Sequence, residues 1–90
     1  MKYSTRTDLV YDRTDEGYVV YNPDTGDFFE LNDTGEVIWE AMRDWVSLDE
    51  LVTQLSETFQ VAEPELRTDV TVFLDQLQQR ALLNVRQSAP

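Results

Sequence analysis

Carboxylates are the only reactive groups this chain has in quantity: 18 Asp and Glu stand against 7 Lys and Arg, with neither His nor Cys. A pair of carboxylates can do acid–base work where a walled cleft drives their pKa values apart. A chain of 90 residues builds one modest core and leaves little room for such a cleft. Without His there is no ordinary general base near neutral pH. Without Cys there is no thiol nucleophile, no disulfide framework and no thiolate-held metal. The single lysine, Lys2, lies in an N-terminal segment that reads as a mobile terminus. Asp24-Thr25-Gly26-Asp27 has the residue types of a calcium loop but not the D-x-[DN]-x-[DN]-G spacing, and is better explained as a turn. No catalytic residue, metal ligand or cofactor emerges, and the chain reads as a non-enzyme.

Binding is better served. From Gly17 to Met42 the sequence reads as a strand, a tight turn, a second strand and a capped amphipathic helix. Tyr18 to Asn22 is β-branched and aromatic. Pro23 pre-sets φ, Asp24 can bond the backbone ahead of it, and Gly26 can take a positive φ. Asp27 to Leu31 then returns as the partner strand. Along it Asp27, Phe29 and Leu31 share one face, aimed at the helices, and Phe28 and Glu30 share the other. An open strand edge is normally blunted by charge or proline. This one carries Asp27 and Glu30 but is otherwise aromatic, which invites pairing with an extended peptide.

The positioning elements follow. Asp8 to Asp12 is a further strand, joined through the polar turn Arg13 to Glu16, so that three strands form an antiparallel meander with Asp27–Leu31 at one edge. Three helices come next. Asp33-Thr34-Gly35-Glu36 has capping-box spacing, and Val37, Ile38, Ala41, Met42 and Trp45 fall on one stripe. Ser47-Leu48-Asp49-Glu50 is a second capping box, with Val46 and Leu51 placed as a hydrophobic staple. Pro64 opens a third helix that runs to about Leu82. Its core stripe is Leu66, Val70, Phe73, Leu74, Leu77 and Ala81. Asp69, Val72, Gln76, Arg80 and Leu83 form an adjacent mixed strip. That strip reads either as an amphipathic helix with leftover aliphatics or as a groove wall, where apolar pockets alternate with polar groups. The tail Gln87 to Pro90 reads as frayed. The fold class expected is α+β: one three-stranded antiparallel sheet, then three helices, in a single domain ordered from about residue 8 to 85.

Charge and hydropathy bound the partners. The net charge is −11, and between Asp15 and Glu57 the only base is Arg43, a surface that repels a phosphate backbone. Solubility alone would account for an acidic surface. No apolar run reaches membrane-spanning length, and Met1 to Thr7 is polar rather than a signal segment, so the expected location is the cytoplasm, with no membrane or nucleic-acid partner.

The order of elements resembles the PqqD-like family of peptide-recognition domains, the RiPP recognition elements that bind leader segments of ribosomally made, later modified peptides. The resemblance rests on Gly17 opening the second strand, Leu31-Asn32 ending the third, then Thr34-Gly35, Ile38 and the Ser47–Leu51 helix start. It continues through Asp69-Val70, Phe73-Leu74, Leu77 and Ala81-Leu82-Leu83. Within the family, Thr25-Gly26-Asp27-Phe28-Phe29-Glu30-Leu31-Asn32 looks most like the stand-alone subunits of lasso-peptide clusters. Many relatives carry Asp-Gly after the first helix, where this chain has Asp44-Trp45. The resemblance implies a winged-helix-like fold in which the precursor leader adds a strand to the third strand and packs along the third helix. It also implies delivery of the bound leader to a separate leader peptidase and onward to the ring-closing cyclase. On that reading the peptide-binding residues are Asp27, Phe28, Phe29, Glu30 and Leu31 on the strand, with Asp69, Val72, Phe73, Gln76, Leu77 and Arg80 on the helix. Two other functions compete: a winged-helix transcription regulator, which needs a basic recognition helix that Glu63–Leu83 lacks, and an oligomer-forming adaptor using an outer sheet face with Tyr18, Val20 and Phe28.

Overall fold

The structure, a computed structural model, describes residues 1–15 and 17–87. In chain order the elements are β1 (Lys2–Thr5), β2 (Val10–Thr14), β3 (Gly17–Tyr21), β4 (Phe28–Leu31), α1 (Asp33–Ala41), β5 (Val46–Ser47), α2 (Leu48–Phe59), α3 (Glu63–Gln79) and β6 (Leu83–Arg86). The fold is α+β, as expected, and β2-β3-β4 is the expected antiparallel meander. Its register is continuous across the sheet: Tyr11 faces Val20, which faces Phe29, and Arg13 faces Tyr18, which faces Leu31. These rows form the inner face, with Val20 and Leu31 buried. The next row out of register, Val10–Tyr21–Phe28, lies on the outer face and is exposed. An adaptor face built on Tyr18 and Val20 is therefore ruled out, since both point inward with Phe29.

A plan of one sheet followed by helices does not describe the molecule. A second sheet, in the order β5-β1-β6, joins the two chain ends and the link between α1 and α2. Lys2 is thus not in a mobile terminus: β1 pairs with β6 from Lys2↔Arg86 to Thr5↔Leu83, and Lys2 Nζ stands 3.6 Å from Glu50. The polar look of this strand hides its burial, because Ser4 and Thr5 are both inside and the Thr5 N–H donates to Met42 O at 2.9 Å.

Helix α3 stops at Gln79, three residues short of the expected Leu82. Ala81 takes a left-handed φ of 55°. The N–H groups of Ala81 and Leu82 donate back to Gln78 O and Leu77 O, both at 3.0 Å, which satisfies carbonyls the helix end would leave bare. The turn releases Leu83 from the helix into β6, where it is buried. Leu83 and Ala81 are consequently not members of helical stripes. At the front of α1 the cap is Asn32, whose Oδ1 accepts from the Gly35 N–H at 2.8 Å. The capping spacing expected from Asp33 is displaced by one residue. The buried face follows the same shift: Trp39 is 1% exposed where Val37 is 40% exposed. Trp45 also lies outside, under the Arg86 guanidinium at 4.4 Å from its ring centroid.

Both halves of the Ser47 capping box form. The Ser47 N–H donates to the Glu50 carboxylate at 3.2 Å and Ser47 Oγ accepts from the Glu50 N–H. The Ser47 amide, its hydroxyl and Lys2 hold the Glu50 carboxyl below the usual carboxylate range. Helix α2 then packs on α3, fastened at the rim by Arg67–Asp49 at 2.7 Å and Thr53–Glu63 at 3.1 Å. Strand β2 extends through Thr14, so Arg13 and Thr14 belong to a strand rather than a turn. Glu16 and the Ser88–Pro90 part of the expected frayed tail lie outside the described residues.

Gly17 shows how closely the meander is packed. Its φ is +143°, and a Cβ there would sit 2.3 Å from Leu31 O. Backbone strain and overpacking each cost about 1–3 kcal/mol. Gly17→Ala is expected to lower the urea midpoint by an amount equivalent to at least about 2 kcal/mol, with an unchanged slope. A midpoint like that of the parent would mean the strand pair can slide.

Candidate functional site

The meander ends in a strand with one side unpaired. β4 bonds only to β3, and no other backbone partner reaches its outer edge among the described residues. Which groups face outward follows from the turn. The Asn22 N–H donates to Asp27 O at 2.8 Å, so that pair is hydrogen-bonded. Antiparallel pairs alternate, so Phe29 and Leu31 spend their N–H and C=O on β3. Phe28 and Glu30 turn theirs to the open edge. Two residues thus present a ready ladder for an incoming strand.

Beside that edge runs α3. Phe73 stacks on Phe29, with centroids 5.7 Å apart and ring planes 27° from parallel. One and a half to two turns further on, the Arg80 guanidinium stands over the other part of the Phe29 ring, 5.1 Å from its centroid, and Arg80 Nη1 donates to Gln76 O at 3.0 Å. Sequence spacing alone put Phe73 and Arg80 on neighbouring strips of the helix; Phe29 is what brings them together. A depression of about 290 Å³ opens at the far end of the strand, lined by Phe29, Glu30, Leu31, Asn32, Thr34, Gly35, Ile38 and Phe73. The depression lies where the strand meets α3 at Phe29 and Phe73, and with the strand edge and the helix face it outlines a candidate groove.

Of the residues expected from sequence, Phe29, Glu30, Leu31 and Phe73 line this depression, Arg80 stands over Phe29, and the others lie on or next to the same strand or helix. Phe28, at 56% exposure, and Glu30 lie on the outer side of the strand. Asp27 precedes the strand rather than beginning it as expected from the sequence, since β4 starts at Phe28, and Phe29 and Phe73 are half-buried between strand and helix. Leu31 and Leu77 are core residues, 2% and 0% exposed, and support the groove from beneath. Val72, 53% exposed, stands on the helix rim with Asp69 and Gln76. None of Asp27, Glu30, Asp69 and Arg80 has an ion-pair partner among the described residues.

Sequence reading missed the fastening that sets the groove's width. Asn22 reads as a turn residue, and its Oδ1 does accept from the Asp24 N–H at 3.0 Å. It is also fully buried, and its Nδ2 donates to Ala81 O at 3.0 Å. The same carbonyl accepts from Arg6 Nη1 at 3.0 Å, and the Arg6 guanidinium in turn holds the Asp8 carboxyl below its usual range. The hairpin carrying β4 and the end of α3 are thereby joined. No periodicity marks this contact, which spans 59 residues of sequence. Ile38 and Thr34 were likewise visible only as helix residues, although they follow the strand directly.

The other edge of the meander, β2, is exposed along its whole length. Tyr11, Tyr18 and Trp39 stand there in edge-to-face contacts at 6.2 and 6.3 Å, over a cavity of about 220 Å³. Among the described residues no group of three or more Asp, Glu, His or Cys could hold a metal ion. No helix among them is long and apolar enough to cross a membrane.

The family model for coenzyme PQQ synthesis protein D (PqqD) matches residues 17–83, from the first residue of β3 to the first of β6. The chain belongs to the PqqD family. No curated protein matches it significantly in sequence. Among solved structures, TbiB1 in complex with the TbiA(β) leader peptide is similar with a TM-score of 0.76 and 24% identity, covering 94% of this chain and 99% of that one. A lasso peptide synthetase B1 complexed with the leader peptide gives 0.74 and 20%, covering 92% and 98%. The PqqD truncation of Methylobacterium extorquens PqqCD, described as a functional, stand-alone RiPP recognition element, gives 0.73 and 14%, covering 93% and 89%. At these identities the likeness establishes that this PqqD-family chain shares their fold.

Proposed function

We propose that this PqqD-family domain is a non-enzymatic leader-binding module. It takes the leader of a ribosomally made precursor as an added strand on β4. The observation that carries the reading is the pair of outward-facing peptide groups at Phe28 and Glu30, set beside the Phe29–Phe73–Arg80 wall. Strand addition draws affinity from main-chain hydrogen bonds and specificity from pockets that read alternate side chains. Here the ladder is the β4 edge, and the pockets are the depression by Phe73 and Ile38 and the strip formed by Asp69, Val72, Gln76 and Arg80. The two leader-peptide complexes of the same fold, one of them a lasso peptide synthetase B1, support the leader-binding part of this reading; on it the domain works in the cytoplasm in lasso-peptide biosynthesis and hands the leader to a separate leader peptidase. A regulator's role is not supported: the exposed charges of α3 are Glu63, Glu65, Asp69 and Asp75, and its Arg67 is paired with Asp49, which leaves little for phosphates.

Hydrogen exchange tests the placement residue by residue. The amides of Phe28 and Glu30 face solvent in the free protein and should exchange fast. They should gain protection when a lasso-precursor leader peptide that the protein binds is added, while those of Phe29 and Leu31, already bonded to β3, change little. Protection appearing on β2 instead would move the docking edge to the other side of the sheet.

A further inference from the structure

The bases of this chain are few, and most are neutralised where they stand. Lys2, Arg6, Arg13, Arg43 and Arg67 are paired with Glu50, Asp8, Glu36, Glu40 and Asp49. Arg86 lies over Trp45 in the second sheet, away from the groove. Among the described residues, Arg80 alone brings a positive charge without an ion-pair partner to the groove. It is partly buried, its guanidinium carbon stands 5.1 Å from the Phe29 ring centroid, and one of its nitrogens donates to Gln76 O. An Arg oriented in this way presents a preset fork of donors, the geometry that suits a carboxylate. In a protein of net charge −11, a cation with no ion pair among the described residues is an uncommon arrangement, and here it stands on a groove wall.

The groove's direction then fixes where the carboxylate falls. The Asn22–Ala81 bond places the hairpin turn, and so the Phe28 end of β4, beside the C-terminal end of α3 and Arg80. The apolar depression lies at the opposite end, by Leu31, Thr34 and Ile38. A strand added antiparallel to β4 runs from the depression toward Arg80. Side chains facing α3 recur at every second residue. Resting on the leader-binding reading above, we infer that Arg80 is a specificity residue that selects an acidic side chain in the ligand. That Asp or Glu lies two or four residues C-terminal to the apolar side chain filling the Phe73–Ile38 depression.

A display selection from random twelve-residue peptides, each tethered by its C-terminus so that only side-chain carboxylates are read, tests this on the full chain. Wild type should enrich an apolar residue followed at two or four positions by Asp or Glu. Arg80→Gln should keep the apolar preference and lose the acidic one, and Arg80→Lys should retain part of it. For a single enriched peptide, Glu→Gln should weaken binding to wild type by about tenfold and to Arg80→Gln by little, as a double-mutant cycle requires. Equal thermal midpoints for the variants would show that the fold is intact; a lowered midpoint for Arg80→Gln shifts the test to the Glu→Gln peptide on wild type, which leaves the protein unaltered. Apolar enrichment with no acidic bias, or an acidic bias that survives Arg80→Gln, overturns the assignment of Arg80 and leaves the leader-binding reading standing. No enrichment by wild type would remove that reading, and this inference with it.

Discussion

Glu30→Pro is expected to cut affinity for the leader roughly a hundredfold while leaving the domain folded. The Glu30 N–H faces the open edge of β4, so the ring removes no bond to β3, and proline is tolerated on an edge strand where its nitrogen faces solvent. The stability cost should be about 1 kcal/mol or less. An incoming strand, by contrast, loses a donor and meets the ring, which breaks the register of the ladder. Two or three main-chain bonds at about 1 kcal/mol each convert to the predicted factor. Calorimetric titration beside a urea melt separates the two effects. Unaltered affinity in a folded Glu30→Pro variant would show that the leader does not pair with β4. Val72→Ala and Gln76→Ala should act more gently, since both are exposed rim residues.

Trp39→Ala is expected to cost about 3–5 kcal/mol, a large share of the roughly 5–15 kcal/mol that holds a domain of this kind together. Trp39 is 1% exposed and packs against Tyr11, so its removal leaves a cavity between sheet and helix that small shifts cannot close. Trp39→Phe should cost much less. The indole Nε1 is buried with no hydrogen-bond partner among the described residues, so the smaller ring gives up a donor that gains nothing. Urea unfolding of both variants decides the matter, and equal losses would mean the indole nitrogen is satisfied after all.

What the sequence made legible was local chemistry. The meander, the Ser47 cap and the alternation of Phe28 and Phe29 follow from neighbouring residues and were readable as such. The edge strand and the face of α3 were found because period-2 and period-3.6 patterns mark them directly. Trp39 was missed because Val37 and Trp39 flank Ile38 on either side, and in a nine-residue helix either neighbour completes an apolar stripe with Ile38 and Met42. The second sheet was missed for a different reason. Its strands have two to four residues each, too short for periodicity, and their partners lie as far apart as Lys2 and Arg86. Leu83 illustrates the penalty: its spacing fits a continued helix, and only the left-handed Ala81 shows that the helix has ended.

The shared carbonyl of Ala81 makes the groove a jaw with its hinge at one end. Among the described residues the hairpin and α3 are bonded to each other there, while the front half of α3 is tied to α2 through Glu63 and Arg67 and by no hydrogen bond to β4 or α1. The Arg80 end is therefore held by directional bonds, and the Asp69 end by the core packing of Leu66 and Val70. A processing system built on such a jaw can let one end of its substrates drift in bulk from one precursor to the next while holding the other end to a single register.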